Sequence, residues 1–409
     1  MAQSSPTRVT RILAATAIAA SVFFAAEIAL RAIQLVSSGV SPTTLLPGAR
    51  DTRFPMSPFL VFGPRLDYQI EGRINPELAR FNSDGVRFPG STPPRRQEEI
   101  RILALGGSTT ENIWNEAGIH WPLVAQCRLQ EAGYNVRILN SAMSAYSTAH
   151  SLVRLSFDVI DKLDPDSTVL MHAVNDLGVV YWAAATGNQV DPHYLVKYGQ
   201  RDYTLDLGPD DVVLLRTLNT LRRRLLSSDR ALIPDKDRIY RLDEGVEIFS
   251  QNIELISEII RVRDRRLVLL TMPFSENAEF MEIIRATADH QGAGMRLFPE
   301  FTLFRQHMNT YNEAVRQVGD RLGVSMIDMA KLYTESDGDF VDPVHYSTHG
   351  VLRFGDVLAR ELEAAIELPR GLDGVEEICT PVLELSHAWS AGSREAASLD
   401  SQIRPGWLR

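Results

Sequence analysis

A serine and two side chains that can activate it as a nucleophile lie in two distant segments of this sequence. Ser108 follows two glycines in the segment 105–111, and Asp342 and His345 stand near the other end of the chain with two residues between them. A serine hydroxyl is a weak nucleophile until a base removes its proton. Histidine does this near neutral pH, and a carboxylate on its other ring nitrogen fixes the tautomer and stabilises the imidazolium. These residue types therefore indicate nucleophilic attack by Ser108, with His345 as the base and Asp342 as its partner.

Two further segments offer hydrogen-bond donors for the negative oxygen that such an attack would create. Asn175 begins an Asn-Asp pair, and Ala145 lies in a segment of small residues at 140–146. Preorganised backbone N–H groups and an Asn amide stabilise a tetrahedral oxyanion. We therefore predict an oxyanion site made of the backbone N–H groups of Ser108 and Ala145 and the side chain of Asn175.

Each of these residues has a simpler structural explanation when it is taken alone. Ser108 has the features of a helix N-cap, and glycines before a helix also bind phosphate groups. The G-x-x-x-x-G-K-[ST] pattern with its lysine is missing, which argues against a nucleotide site. His349 could join His345 in a metal site, but the glutamate of an H-E-x-x-H motif is absent between them. We therefore predict neither a metal ion nor a cofactor.

Alternating strands and helices would bring these segments to one edge of a sheet. Because such alternation buries a parallel sheet between helices, we predict an α/β fold, a three-layer αβα sandwich around a mostly five-stranded parallel sheet. Ligands bind at the carboxyl ends of such strands, where the four segments fall. Short apolar runs predict strands at 101–105, 136–140, 168–174, 266–272 and 325–329. Helical periodicity predicts helices at 121–132, 152–163, 211–226, 246–262, 311–322 and 349–366.

The N-terminus has the composition of a membrane anchor. Arg8 and Arg11 precede an uncharged apolar run at 12–26. This run is shorter than the about 20 residues that span a bilayer, and its length also suits the core of a signal peptide. Because no small-x-small cleavage site follows, we predict an uncleaved single-pass anchor, a transmembrane helix over 1–37, with the catalytic domain on the extracytoplasmic (periplasmic) side of the cell membrane. A cleaved signal peptide and an amphipathic helix docked on the catalytic domain are the alternatives.

The rest of the chain divides where its composition changes. Residues 38–100 contain several prolines and predict a linker and N-terminal extension, whose turn at 82–85 packs against the domain. The catalytic domain is predicted over 101–366, and the Ser-, Ala- and Glu-rich stretch 367–409 is predicted to be a poorly ordered tail. A net charge of −10 argues against a nucleic-acid partner, because phosphate binding needs clustered Lys and Arg.

The sequence contains only two cysteines, Cys127 and Cys379. An exported protein could join them, but they are too few for a disulfide framework. We expect Cys127 to be a buried helix residue and Cys379 to lie in the tail, and the sequence leaves their pairing open. No C-x-x-C motif or Cys/His cluster indicates zinc.

Taken together, the four segments resemble the SGNH (GDSL-like) hydrolase family over residues 101–366. The Gly-Gly-Ser at 106–108 corresponds to the family's G-D-S block, and 140–145 corresponds to N-x-x-x-S-G. The segment 173–176 corresponds to G-x-N-D, and 342–345 is a complete D-x-x-H block.

Three positions depart from the family pattern. Gly107 replaces the usual Asp before the serine, as in a membrane-anchored G-G-S-T-T branch of such proteins. Ala145 stands at the oxyanion glycine and Ala173 at the glycine of the third block. A backbone N–H survives at Ala145, but its methyl group narrows the site and restricts φ.

The resemblance implies a serine esterase that works through an acyl-enzyme on Ser108, His345 and Asp342, without a cofactor. The substrate it implies is a carboxylic ester with a short acyl or O-acetyl group, carried by a small molecule or a glycan. Three alternatives remain open. One is an O-acyltransferase on the same triad, the second is a non-catalytic envelope protein that binds glycan, and the third is a cytoplasmic thioesterase if the N-terminus is not an export signal.

Overall fold

The chain forms two compact units in a computed structural model. One unit comprises Met1–Thr52 and Gly199–Leu232, and the other comprises Arg53–Tyr198 and Ile233–Arg409. In the first unit only 21–26 and 28–29 are described, and they are helical. The structure describes residues 21–26, 28–29, 56–57, 61–62, 81–112, 115, 117–157, 159–191, 233–291, 297–372 and 374–390.

Two predictions fall mainly on residues outside these ranges. Most of the predicted anchor over 1–37 and the whole predicted helix over 211–226 lie outside the described residues. Within the described part of the chain, no helix combines the length and the apolar character needed to cross a bilayer. All structural features that follow belong to the larger unit.

A five-stranded parallel sheet forms the centre of the larger unit, as the sequence predicts. The strands are β1 (Ile100–Gly106), β2 (Val136–Asn140), β3 (Ser167–Met171), β4 (Arg266–Leu270) and β5 (Ser325–Ile327). Every neighbouring pair of strands is parallel, and the order across the sheet is β2-β1-β3-β4-β5. The apolar runs form strands because both faces are covered, so that the run from Ile102 to Leu105 is almost wholly buried. A separate antiparallel pair joins Met56–Ser57 to Val61–Phe62.

Helices cover the two faces of the sheet because the chain changes direction at β1. The connection from β1 to β2 runs one way across the sheet and all later connections run the other way, so right-handed crossovers place their helices on opposite faces. The helices are α1 (Ser108–Glu111), α2 (Trp121–Glu131), α3 (Thr148–Phe157), α4 (Val159–Leu163), α5 (Val174–Thr186), α6 (Leu242–Val262), α7 (Ala278–Gln291), α8 (Phe301–Leu322), α9 (Met329–Leu332), α10 (Thr348–Ala365) and α11 (Thr380–Ser390). Helices α2 and α10 pack together, and α3, α5, α6 and α8 form the second group.

The structure differs from the sequence prediction at the end of the third strand. The apolar run predicts a strand to residue 174, but β3 ends at Met171 and α5 begins at Val174. The strand stops there because its ladder partners on both sides end at the same level, Gly106 in β1 and Leu270 in β4. As a result, Asn175 lies in the first turn of a helix.

The extension before the domain packs against it at the predicted turn. Gly85 N–H donates to the carbonyl of Asn82 at 3.0 Å, and Val86 is fully buried. The buried guanidinium of Arg154 donates to the carbonyls of Ser141 and Gly85. This arginine therefore ties the extension to the chain that leaves β2.

The C-terminal stretch is more ordered than its composition predicts. A 3₁₀ turn at Glu377–Cys379 leads into α11, which packs on α2. A disulfide joins Cys379 to Cys127, which is a buried residue of α2 as expected. The sequence prediction of a poorly ordered tail rested on composition alone, and this crosslink supplies the order that composition does not. Residues 391–409 lie outside the described ranges.

We expect the double variant Cys127→Ala/Cys379→Ala to unfold with a free energy about 2–4 kcal/mol lower than that of the wild type, because the crosslink spans 252 residues of the unfolded chain. Urea titration without reductant measures the difference. Adding reductant to the wild type should move its midpoint to that of the variant. A urea midpoint of the wild type that is the same with and without reductant would show that the disulfide is not formed.

Candidate active site

The reversal of strand order between β1 and β3 creates the crevice where the predicted residues meet. Ser108 begins α1 directly after β1, and Asn175 lies at the start of α5 after the neighbouring strand β3. In open parallel sheets this is the point where ligands bind, since the connections leaving the two strands diverge to opposite faces. The fold therefore places Ser108 and Asn175 on the two sides of a ready-made crevice.

The two distant segments that carry Ser108, Asp342 and His345 meet in this crevice. His345 Nε2 lies 2.7 Å from Ser108 Oγ, and His345 Nδ1 lies 2.6 Å from Asp342 Oδ2. In the neutral imidazole, Nδ1–H donates to the carboxylate and Nε2 accepts from the serine hydroxyl. This arrangement has the base in contact with the nucleophile and the carboxylate on the far ring nitrogen, which is the geometry that proton removal from Ser108 requires.

The environment of Asp342 keeps its carboxyl group ionised. Burial raises the pKa of Asp342, but the charge and hydrogen bond of His345 lower it by more in total, together with two backbone N–H groups. Those N–H groups belong to Val344 and His345 and donate to Asp342 Oδ1 at 2.9 and 2.8 Å. The net pKa of Asp342 is below its ordinary value. A permanent carboxylate is what holds the histidine in one tautomer.

Ala145 adopts a backbone conformation that its glycine counterpart would adopt freely. The turn at 143–146 closes with a hydrogen bond from Tyr146 N–H to the Met143 carbonyl at 3.0 Å, and Ala145 has φ of 71°. This is the third position of a type II turn, which favours glycine. A residue with a Cβ in this region costs about 1–3 kcal/mol. The substitution at this position therefore keeps the turn and adds strain.

Gly107 leaves room for the Asn175 side chain in its observed position. Asn175 Nδ2 donates to the carbonyl of Tyr146 at 2.9 Å. A Cβ built on Gly107 would lie 2.2 Å from that amide nitrogen and 3.0 Å from the same carbonyl. The Asn175 side chain thus fills the space of a side chain at 107. Its amide carries a second N–H, which is the donor that could serve an oxyanion.

Comparison with known proteins identifies the family. The model of the GDSL-like lipase/acylhydrolase family matches residues 104–351, which is more than half of the chain. The chain belongs to this family. It is a hydrolase of the SGNH type, as the four sequence blocks suggest. None of the curated proteins compared with the chain matches it.

Several solved structures resemble the hydrolase at low sequence identity. A lipase/acylhydrolase from Enterococcus faecalis is 17% identical and covers 66% of this chain and 98% of its own, with a TM-score of 0.40. A GDSL-like lipase from Bacteroides thetaiotaomicron is 12% identical, with coverages of 68% and 93% and a TM-score of 0.38. A catalytic mutant of Axe2, an acetylxylan esterase from Geobacillus stearothermophilus, is 14% identical, with coverages of 66% and 95% and a TM-score of 0.36. The family assignment rests on the family model and not on these likenesses.

Asp176 is a supporting residue that the sequence did not single out. Its carboxylate accepts hydrogen bonds from the backbone N–H of Thr148 at 3.1 and 3.2 Å and from the Thr148 hydroxyl. The same hydroxyl accepts from the Asn252 amide at 3.0 Å. Asp176 therefore ties the start of α5 to the start of α3 and holds the neighbouring Asn175 in place. Its adjacency to Asn175 was the available signal, but an Asn-Asp pair also reads as a turn.

Asp339 supports the segment that carries Asp342 and His345. Its side chain is fully buried, contacts His349 Nδ1 at 3.1 Å and accepts from Arg353 and from the backbone N–H of Ser336. The structure thus gives His349, considered above as a metal ligand, a carboxylate partner of its own. In the described part of the chain, no group of three or more His, Cys, Asp or Glu side chains could hold a metal ion.

We expect Gly107→Ala to lower kcat about 10²-fold, because the new methyl group displaces the Asn175 amide from the crevice. Steady-state kinetics with an activated ester would measure the loss. Gly133→Ala is a matched control, since nothing lies within 4 Å of a Cβ at that glycine, although its φ of 85° adds some strain. Equal activity of Gly107→Ala and the wild type would show that a methyl group at 107 does not displace the Asn175 amide.

A buried histidine next to the site should make the fold sensitive to acid. Burial, aided by His150, lowers the pKa of His172 to about 3, and its Nε2 lies 2.8 Å from Ser151 Oγ. The folded state therefore holds His172 neutral where the unfolded chain takes up a proton. Its contribution to stability is complete above pH 6.5 and falls by about 1.4 kcal/mol per pH unit between 6.5 and 3.

The variant His172→Gln should flatten this part of the stability profile, as measured by urea unfolding at a series of pH values. His387→Gln serves as the control because that side chain is largely exposed on α11. If His172→Gln loses stability on acidification as steeply as the wild type, another group is responsible.

Proposed function

We propose that this hydrolase cleaves carboxylic esters through an acyl-enzyme on Ser108. The observation that carries the proposal is the position of His345, whose two ring nitrogens lie 2.7 Å from Ser108 Oγ and 2.6 Å from Asp342 Oδ2. This line of three groups supplies a nucleophile, a base and a fixed counter-charge in one crevice. Membership of an acylhydrolase family agrees with it.

The reaction follows from these contacts. His345 Nε2 takes the hydroxyl proton as Ser108 Oγ attacks the ester carbonyl, and Asp342 stabilises the imidazolium that forms. The N–H groups of Ser108 and Ala145 and the Asn175 amide hold the oxyanion. When the intermediate collapses, the proton passes from His345 to the departing alcohol. Water, activated by the same histidine, then adds to the acyl group and releases the acid and free Ser108.

The substrate we propose is an ester with a short acyl group, such as an acetyl group on a small alcohol or a glycan hydroxyl. Crowding at the nucleophile supports a short acyl chain, because Ser108 is only 7% exposed and Tyr146, the last residue of the turn at 143–146, is fully buried. The methyl group of Ala145 narrows the same region further. An acyltransferase would use the same contacts, with a sugar hydroxyl in place of water.

We propose further that the catalytic domain works outside the cytoplasm on an anchor formed by residues 1–37, as in the G-G-S-T-T branch. Arg8 and Arg11 before the apolar run at 12–26 support this orientation. The disulfide between Cys127 and Cys379 also supports it, since such bonds persist in oxidising compartments.

Replacing the nucleophile tests the proposed reaction directly. We expect Ser108→Ala to lose about four to six orders of magnitude in kcat, since the remaining members of a triad act as a unit. Hydrolysis of p-nitrophenyl esters from acetate to octanoate measures the loss and the chain-length preference. Ser156→Ala, on the exposed side of α3, is the matched control.

A fluorophosphonate probe should label the wild type and Ser156→Ala but not Ser108→Ala. Full activity of Ser108→Ala would exclude the mechanism, and an unlabelled wild type would favour a protein that only binds glycan. Product analysis with an added sugar acceptor separates hydrolysis from acyl transfer.

A further inference from the structure

We propose that Glu111 is a positioning residue that sets the orientation of the Ala145 N–H toward the oxyanion. The proposal rests on the function proposed above and concerns the same site. It assigns a role to a buried carboxylate that the Ser108, His345 and Asp342 chemistry does not use.

Glu111 joins the nucleophile helix to the oxyanion turn. It is the last residue of α1, three positions after Ser108, and its exposure is 0%. Its Oε2 accepts a hydrogen bond from the backbone N–H of Ser144 at 2.5 Å and another from the Ser144 hydroxyl. One carboxylate oxygen thus receives both polar hydrogens of the residue that precedes Ala145.

The backbone of Glu111 is held as well. Its carbonyl accepts from Arg87 Nη1, and Arg87 Nη2 donates to the carbonyl of Gly118 at 2.8 Å. Arg87 is itself buried. The end of α1 therefore has a fixed position from which the carboxylate can hold the turn.

These contacts hold the turn on both sides of the peptide group that carries the Ala145 N–H. Glu111 holds Ser144, the residue before Ala145, and the Asn175 amide holds the carbonyl of Tyr146, the residue after Ala145. Ala145 needs that support, because its φ of 71° is disfavoured for a residue with a Cβ. The strained turn persists because its neighbours hold it from both sides.

The negative charge of Glu111 distinguishes a role in positioning the Ala145 N–H from a direct stabilisation of the oxyanion. A negative carboxylate near a developing oxyanion opposes it, so removing the charge of Glu111 would by itself favour the transition state. A loss of rate on removal of Glu111 must then come from a misplaced donor. Since the oxyanion contact exists only in the transition state, kcat should fall with KM little changed.

The test compares Glu111→Met, which keeps the bulk but removes the acceptor, with Glu111→Gln, which keeps an acceptor oxygen. We expect Glu111→Met to lower kcat about 10- to 100-fold at nearly constant KM, and Glu111→Gln to stay within a few-fold of the wild type. Rates are divided by the number of active sites that a fluorophosphonate probe labels, which removes any effect of misfolded protein. Equal kcat per labelled site in Glu111→Met and the wild type would overturn the proposal.

A second replacement tests the link to backbone strain. Adding Ala145→Gly to Glu111→Met should recover part of the lost kcat, because glycine adopts the positive φ without outside support. No recovery would contradict the proposed role. If Glu111→Met does not fold, Ser144→Ala removes one of the two hydrogen bonds to the carboxylate and should lower kcat several-fold, and an unchanged kcat there would overturn the proposal.

Failure of this proposal is distinguishable from failure of the proposed function. Labelling of Ser108 together with inactivity of Ser108→Ala upholds the esterase reaction whatever Glu111 does. Unchanged rates in the Glu111 variants would then exclude only the positioning role.

Discussion

The hydrogen bond between His345 and Ser108 joins residues 237 positions apart in the chain, and most of the structure around it serves to keep those two side chains in register. A contact of 2.7 Å tolerates little error, because a displacement of about 1 Å in such a site costs about two orders of magnitude in rate. Ser108 follows the end of β1, which is hydrogen-bonded to a parallel strand on each side. His345 lies on an irregular segment before α10, which is closed by an isolated antiparallel bridge between Phe340 and Tyr346 and not by the central sheet.

Buried carboxylates supply the order that irregular backbone lacks. Four buried acidic side chains around the crevice accept hydrogen bonds from backbone N–H groups of their own or a neighbouring segment. Burying a carboxylate is costly unless such donors replace water, and charge-assisted bonds are stronger than neutral ones. The anions thus fasten loops that must be irregular to present catalytic groups. They are Glu111, Asp176, Asp339 and Asp342.

The strands and the meeting of the two distant segments could be predicted because both follow from local patterns. Short apolar runs identify buried strands, and a D-x-x-H block placed after the last strand can reach a serine placed after the first. The supporting contacts could not be predicted, because Glu111 looks like any acidic residue in a first helical turn and its partner Ser144 lies 33 positions away. The order of α11 escaped prediction for the same reason, since it depends on a crosslink to Cys127.

The Asn175 amide occupies the space that a side chain at position 107 would need, so a substitution at 107 depends on where the Asn175 side chain lies. A side chain at 107 would occupy the place of the Asn175 amide, which in turn holds the oxyanion turn through the Tyr146 carbonyl. The Asp that other family members carry before their serine therefore cannot be introduced alone without moving the amide. Since the family pattern combines that Asp with the same Asn, a change at 107 calls for a new side-chain conformation of Asn175 and leaves its residue type unchanged.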